Sequence, residues 1–253
     1  MIDIHNHILP FLDDGSIDMN TTEKYLHKIA KAKMDAIIFT PHFKRGFFYN
    51  TKEKILEVYQ QVDSIVKRSR FIFRTYCAAE VYLKGELAIT DIQENSFMIN
   101  GSRYVLVENS MYGLSKDFFE NLYSLTKLGY KPILAHPERY LEIQKNIELA
   151  SELMHRDVYM QINTGSLLGE YGSKVKEIAL SLVKSGYAHF LGSDCHCDLN
   201  KYSYLEAFEL INKKFSHNIA HLLAKENPEQ MLNNEDIPLF YQKTNKYSYL
   251  NNF

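Results

Sequence analysis

Short apolar, β-branched runs alternate along the chain with longer amphipathic stretches, the rhythm of repeated βα units around a parallel sheet. Seven runs predict strands at 2–7, 35–40, 71–80, 104–108, 131–136, 158–163 and 188–194. Helical periodicity between them predicts helices near 20–34, 52–69, 115–129, 142–156, 173–186 and 202–224. In the first of these, Leu26, Ile29, Ala30 and Lys33 recur at helical spacing. Asn20 and Glu23 form an Asx version of the capping box, repeated by Asn50 and Glu53 before the second helix. Gly129 and Gly186 stand where a left-handed residue would end helices three and five. Segment 81–101 breaks the rhythm and reads as an inserted turn or short helix. No linker or charge run divides the chain, so 1–253 is expected to be one domain. The Asn- and Tyr-rich stretch 229–253 has weak periodicity, which fits a loosely packed tail.

Composition narrows the class. At 253 residues and 45% hydrophobic, the chain can bury a full core as a barrel or layered α/β domain. A formal net charge of −2 argues against nucleic acid as partner, since such surfaces carry a basic excess. No apolar run approaches a membrane span and no signal-peptide pattern opens the chain, so it is expected not to be membrane-embedded. Cys77, Cys195 and Cys197 cannot build a disulfide framework and fit a reduced, cytoplasmic protein.

The ionisable residues supply the chemistry. His5 with His7, and Asp194 with His196, are each separated by one residue, and on an extended strand alternate side chains share a face. Strand one leads on to Asp13 and Asp14, and strand two runs into Pro41-His42. Strands three and four end at Glu80 and Glu108, and strand five delivers His136 followed by Pro137-Glu138-Arg139. In parallel α/β barrels the C-terminal rim is where active sites are built. Five of the ten histidines fall at these ends. His27, His155, His189, His217 and His221 lie in helices or at strand starts, where packed or solvent-facing roles are the default. A single strand-end histidine would ordinarily be structural; six strands arriving with N and O donors are hard to explain by packing, because unpaired buried carboxylates are costly. Five imidazoles and about four carboxylates exceed one ion, and mixed N/O ligation suits Mn, Fe or Zn. Cys195 alternates away from its neighbours and Cys197 falls in the next loop, so both read as ordinary thiols.

These residues resemble the PHP (polymerase and histidinol phosphatase) superfamily, and within it the bacterial tyrosine-protein phosphatase branch found with capsular and exopolysaccharide genes. The resemblance runs from Met1 to about residue 232. It rests on Met1-Ile2-Asp3-Ile4-His5-Asn6-His7-Ile8, Asp13-Asp14-Gly15, Thr40-Pro41-His42, Ala79-Glu80-Val81-Tyr82, Arg103-Tyr104 through Glu108, Ala135-His136-Pro137-Glu138-Arg139-Tyr140 and Ser193-Asp194-Cys195-His196. It implies a distorted (β/α)7 barrel with three divalent ions at its mouth, manganese favoured and iron or zinc alternative. By resemblance His5, His7, Glu80 and Asp194 would hold one ion; Glu80, Glu108 and His136 a second; Asp14, His42 and His196 a third. The implied substrate is the phosphorylated tyrosine-rich tail of a bacterial tyrosine autokinase, which would link the activity to surface-polysaccharide synthesis. Asn6 stands where the family has a small residue, and Phe43-Lys44-Arg45-Gly46 is a local variant of a basic loop.

On this reading divalent ions acidify a water for in-line attack on a phosphomonoester. Arg139 is the first candidate for clamping the phosphoryl group and Arg103 a second, with His136 counted among the catalytic residues as well as the ligands. The plain alternative for Arg139 is a salt bridge to Glu138. Phosphotyrosine fits because a phenolate leaves more readily than an alkoxide. Lys44 and Arg45 could attract acidic phosphopeptides or be ordinary solvated charges. Cysteine-dependent chemistry is excluded, since Leu83, Lys201 and Ser203, not Arg, follow the three cysteines at the required offset of six. No Walker-type loop appears. Two rivals remain: a phosphatase of a small phosphomonoester such as histidinol phosphate or a nucleotide, and a non-catalytic, metal-stabilised binding module. Tyr241, Tyr247 and Tyr249 also suggest that the tail could mimic the kinase's own tyrosines.

Overall fold

The computed structural model describes residues 1–95, 97–196 and 202–240. Its strands are β1 (Ile2–Asp3), β2 (Ala36–Phe39), β3 (His42–Phe43), β4 (Arg74–Cys77), β5 (Glu80–Tyr82), β6 (Tyr104–Glu108), β7 (Lys131–Ala135), β8 (Tyr159–Asn163) and β9 (Phe190–Gly192). Pairing runs β1-β2-β4 in one sheet and β3-β5-β6-β7-β8-β9 in the other, parallel throughout. An isolated parallel bridge between Asn6 and Cys195 ties the ends, with His7 N–H donating to Cys195 O at 3.1 Å and Asp194 N–H to His5 O at 2.8 Å. The result is an α/β fold whose parallel sheet curls into a half-barrel.

The simple count of seven strands is not what the pairing gives. The run 35–40 ends at Phe39, because Pro41 has no N–H to continue the ladder, and resumes as β3. The run 71–80 begins only at Arg74 and changes partners midway: Ala78 N–H reaches Phe39 O, whereas Glu80 N–H reaches Pro41 O and starts β5.

Period-two alternation sorts the core into two clusters. Ala36, Ile38, Tyr104, Leu106, Ile133, Ala135, Tyr159 and Phe190 pack inside with Ile2 and Ile4. The intervening Ile37, Phe39, Val105, Val107, Leu134, Met160, Ile162 and Leu191 pack outward. They meet the buried faces of helices including α1 (Met19–Lys31), α2 (Lys52–Arg68), α3 (Ala88–Asn95) and α4 (Lys116–Lys127).

Helix starts differ from expectation. Asp18, not Asn20, caps α1, its carboxylate accepting from Thr21 N–H at 2.7 Å; such a cap is worth about 1 kcal/mol. Thr51 precedes α2, and Asn50 is instead buried, donating to Leu12 O and His42 O. The predicted helix 142–156 is two, α5 (Leu141–Lys145) and α6 (Glu148–Met154). The short α7 (Thr164–Leu168) and α8 (Ser173–Lys184) follow, and Gly129 and Gly186 take the left-handed conformation just past α4 and α8. The predicted 202–224 helix breaks into α9 (Tyr204–Lys214) and α10 (His217–His221), because Ser216 accepts from Ile219 N–H and caps a new start. Segment 81–101 carries α3 and a 3-10 turn at Ile99–Gly101.

The stretch from 229 is not loose as far as it is described. The last helix among the described residues, α11 (Asn227–Leu232), contributes buried Met231 and Leu232, and Ile237 joins the inner cluster. Tyr104 OH donates to Glu235 O, Tyr159 OH to Ile237 O, and the His189 Nε2–H lies 3.0 Å from Leu239 O. Three inner side chains thus fasten alternate carbonyls across the barrel floor. Tyr241, Tyr247 and Tyr249 lie outside the described residues, as does Cys197.

His189 is fully buried, and burial lowers its pKa to about 4 against a hydrogen bond from its ring to Leu239 O that raises it. Because the unfolded chain then binds a proton that the folded chain refuses, stability is lost as pH falls from about 6.5 toward 4. A shift of this size is worth roughly 3 kcal/mol at the acid end. Urea unfolding at pH 7 and pH 4.5 is expected to show a steeper acid loss for the wild-type chain than for His189→Gln; equal slopes would contradict the assignment.

Candidate metal centre

The strand ends that close the inner cluster with apolar side chains below carry polar ones above. β6 continues Tyr104 and Leu106 with Glu108, and β8 continues Tyr159 with Gln161 and Asn163. β5 begins at the fully buried Glu80. His5 and His7 follow β1 after Asp3, whose carboxylate accepts from His5 N–H and Ser193 N–H and interrupts the ladder. Gly192 makes room for His5 and Gln161: a Cβ there would sit 2.6 Å from His5 Cβ and 2.8 Å from Gln161 Nε2.

His136 and Asp194 are both in the left-handed region, at φ 38° and 49°. A non-glycine residue held there costs on the order of 1–3 kcal/mol, and such strain persists only where surrounding structure enforces it. For Asp194 this changes the basis of convergence. It does not meet His196 through extended-strand alternation; the chain turns there to aim the carboxylate inward.

Three imidazoles have their tautomers fixed from behind. His5 Nδ1 lies 2.7 Å from Gln161 Oε1, and the Gln161 amide is oriented by donating to Asn163 Oδ1 at 2.8 Å. His7 Nδ1 lies 2.7 Å from the Asp13 carboxylate, and His196 Nδ1 lies 3.0 Å from the Asp194 carbonyl. Each partner is an acceptor, so the proton resides on Nδ1 and the Nε2 lone pair faces the centre. There His5 Nε2 and His7 Nε2 lie 3.1 Å apart. Glu80 Oε2 sits 3.3 Å from the first, 3.4 Å from the second and 2.9 Å from His42 Nδ1, yet makes no hydrogen bond with any of them. The short approach to His42 has angles that no hydrogen bond satisfies. His42 Nδ1 and His136 Nδ1 are likewise buried without a hydrogen-bond partner.

Lone pairs turned on lone pairs inside a buried cluster need a cation between them. Five carboxylates, Asp13, Asp14, Glu80, Glu108 and Asp194, share the site with one guanidinium, that of Arg139. Protonation is the substitute in the protein alone. Burial would raise the Glu80 carboxyl, but His5 and His42 overcome it and hold it well below the usual range. Asp194 follows the same pattern, with burial outweighed by His5, His7, His136 and His196. Asp14 is drawn down to about 2, chiefly by the His196 imidazole beside it, Nε2 to Oδ1 at 3.4 Å. Burial and His7 oppose a charge on His42, yet Glu80 and Glu108 push it up to about 10. The donor set therefore fits divalent metal: mixed N and O atoms, fixed lone pairs and excess negative charge.

Three groups of donors each fall within 4.8 Å: His7, Asp14, His42 and His196; His5, His7 and Glu80; His42, Glu80 and Glu108. These groups depart from the expected partition in three places: His42 and not His136 lies with Glu80 and Glu108, Asp194 falls outside the group of His5, His7 and Glu80, and His7 joins Asp14, His42 and His196. His136 approaches Glu80, Nε2 to Oε1 at 3.0 Å, and Asp194 Oδ1 lies 3.5 Å from both His5 and His7.

The capsular polysaccharide synthesis, CpsB/CapC, family pattern matches residues 1–233. The chain belongs to that family. The tyrosine-protein phosphatase YwqE of Bacillus subtilis (strain 168) is 30% identical over 238 residues, spanning 94% of this chain and 93% of the relative. The tyrosine-protein phosphatase CpsB of Streptococcus pneumoniae is 29% identical over 239 residues, spanning 92% and 98%. Among solved structures, a chain from the work on YwqE and CpsB, described as unique metal-dependent tyrosine phosphatases, matches with TM-score 0.87 at 30% identity, covering 94% of this chain and 96% of that one. Histidinol phosphate phosphatase from Lactococcus lactis, at 12% identity and TM-score 0.57, shares the fold.

In this CpsB/CapC chain the donors floor an open cleft of about 450 Å³, also lined by Lys44, Phe48, Met111, Arg139, Glu170 and Tyr171. Arg139 does not pair with Glu138. Its Nη1 donates to Asp194 Oδ2 at 3.0 Å and its guanidinium lies 4.4 Å over the Tyr171 ring, while Glu138 is buried and accepts from Asn163 N–H. Arg103 is not brought to the cleft. It precedes β6 and so sits at the opposite end of the barrel, bound to Asn234 and Asp236. Arg45 is held bidentately by Asp91, a nearly buried carboxylate of α3. Asp13, a strand-end donor left out of the implied ligand sets, orients His7, and Gln161 and Asn163 complete the site although neither was expected in it. The last two break an apolar strand at inward positions, but carry no charge to draw attention.

Asp13→Asn is expected to weaken metal binding by roughly 10- to 100-fold while leaving the fold intact, because His7 loses its fixed tautomer. Titration calorimetry with Mn²⁺, alongside circular dichroism, checks this; unchanged affinity would remove Asp13 from the site.

Proposed function

We propose that this chain is a metal-dependent tyrosine-protein phosphatase acting on the phosphorylated tyrosine-rich tail of a bacterial tyrosine autokinase, in the cytoplasm, in the control of capsular or exopolysaccharide synthesis. Residues 1–253 are read as one PHP-type domain, a distorted (β/α)7 barrel once the interrupted strands are counted with their continuations. His5, His7, Asp14, His42, Glu80, Glu108, His136, Asp194 and His196 would hold the metal, as three ions of manganese, with iron or zinc as alternatives. Three divalent ions would set six positive charges against the five carboxylates.

When bound, divalent ions supply Lewis acidity and lower the pKa of water near neutrality. The chain's own contribution is positioning. Gln161 and Asp13 hold His5 and His7 in one tautomer, and Asn163 donates to Asp194 at 2.6 Å. Arg139 offers a planar pair of donors that suits two phosphoryl oxygens, and the Tyr171 ring supports it from behind. A phenolate, with a pKa near 10, leaves as an anion more easily than an alkoxide.

The observation that carries this reading is the Glu80 oxygen facing three imidazole nitrogens below Arg139, within a chain whose relatives are tyrosine-protein phosphatases. Among the described residues no helix is long and apolar enough to cross a membrane.

With Mn²⁺ present, the chain is expected to hydrolyse phosphotyrosine peptides far better than histidinol phosphate, and chelation should abolish turnover. Arg139→Lys should lower kcat/KM by on the order of 100-fold through loss of bidentate contact. Arg103→Ala should leave it within about two-fold, as a salt bridge at an exposed position far from the cleft has little effect. A preference for histidinol phosphate would overturn the substrate, and metal occupancy without turnover would favour the binding module.

A further inference from the structure

The loop after β3 is a built wall rather than a free lid. Lys44 N–H donates to Phe48 O and Phe48 N–H to Lys44 O, both at 2.8 Å, closing a five-residue hairpin. Arg45 struts it to Asp91, and buried Asn50 ties its far end to Leu12 O and His42 O. Phe48 lies parallel to the His42 ring, with centroids 5.6 Å apart and an interplanar angle of 11°. The Lys44 ammonium sits 4.1 Å over Tyr82 and 5.1 Å over Phe47. Phe48, Lys44 and Arg139 line the same cleft.

We propose that Phe48 determines selectivity, presenting a fixed ring face on which the phenyl ring of a phosphorylated aryl substrate stacks while its phosphoryl group reaches Arg139 and the donor floor. This deepens the phosphatase reading and rests on it for the identity of the reacting group. The logic is one of preorganisation. Phe48 is already immobilised by the hairpin and by His42, so stacking a substrate ring on it costs little further ordering. An alkyl phosphate reaches the same floor but gains nothing from the wall. Lys44, held over two rings at the mouth, keeps the entrance cationic without occupying the place of the substrate ring. Arg45, by contrast, is committed to the strut.

The test uses the full-length, Mn²⁺-loaded chain and two non-hydrolysable probes, phenylphosphonate and methylphosphonate, titrated by calorimetry. The wild-type chain should prefer phenylphosphonate. Phe48→Leu and Phe48→Ala should shrink that preference by roughly three- to ten-fold, the worth of one aromatic contact, and Phe48→Tyr should retain it. Elemental analysis of each variant should show the metal content of the wild type. An unchanged preference ratio in Phe48→Leu, equal weakening of both probes, or a wild type that does not discriminate would each overturn the proposal. If Phe48→Ala proves unfolded by circular dichroism, Phe48→Leu decides alone. A wild type that discriminates between the probes yet hydrolyses no phosphotyrosine peptide would support the wall while overturning the phosphatase reading.

Discussion

Everything at the mouth of this barrel follows from an electrostatic demand. Acceptors are turned toward one another in a space from which water is largely excluded, and the Glu80 oxygen meets three nitrogens without a hydrogen bond. Such an arrangement is expensive unless positive charge enters it. The protein alone meets the demand with protons on histidines; divalent ions meet it better, because one ion answers several lone pairs at once. The second layer exists to keep the demand unmet by anything else. Gln161 and Asp13 satisfy the outer nitrogens of His5 and His7, so those rings cannot flip and pair elsewhere.

The half-barrel serves that purpose by polarity. Inward positions are apolar at the N-terminal ends of the strands, where Tyr104, Ile133, Tyr159 and Phe190 fill the interior, and hydrophilic at the C-terminal ends. The two regions share strands, so packing below fixes the position of donors above to within the stiffness of a β-ladder. Around the donors, strain enters at His136 and Asp194, where the ladder has to be left. Both are residues whose side chains face the centre, which is where a fold can tolerate an unfavourable backbone in return for aim.

Much of this was legible in the chain and some of it was not. The alternation of βα units, the inward parity of the strands and the clustering of donors at strand ends are all short-range patterns, and short-range patterns survive in one dimension. Even the exclusion of Arg103 was available, since a residue before a parallel strand's start lies at the end opposite the mouth. What could not be read were the points where tertiary partners override local preference. Asp18 wins the cap of α1 because its carboxylate meets Thr21, and Asn50 leaves capping to hold two distant carbonyls. Arg45 looks like a solvated charge until Asp91 appears 46 residues later. The turn at Asp194 shows a subtler gap: the alternation argument expected its side chain inward, but the backbone reaches that outcome by another route.

The floor of the barrel imposes an order on biosynthesis. Tyr104, Tyr159 and His189 are made well before the carbonyls of residues 235, 237 and 239 that they bind. A nascent chain whose stretch beyond 230 is still inside the ribosomal tunnel has its metal-binding end assembled in sequence but its base uncorked. Sealing is therefore a late, post-tunnel event, and a truncation that removes this strap leaves two phenols and an imidazole of the interior without their acceptors.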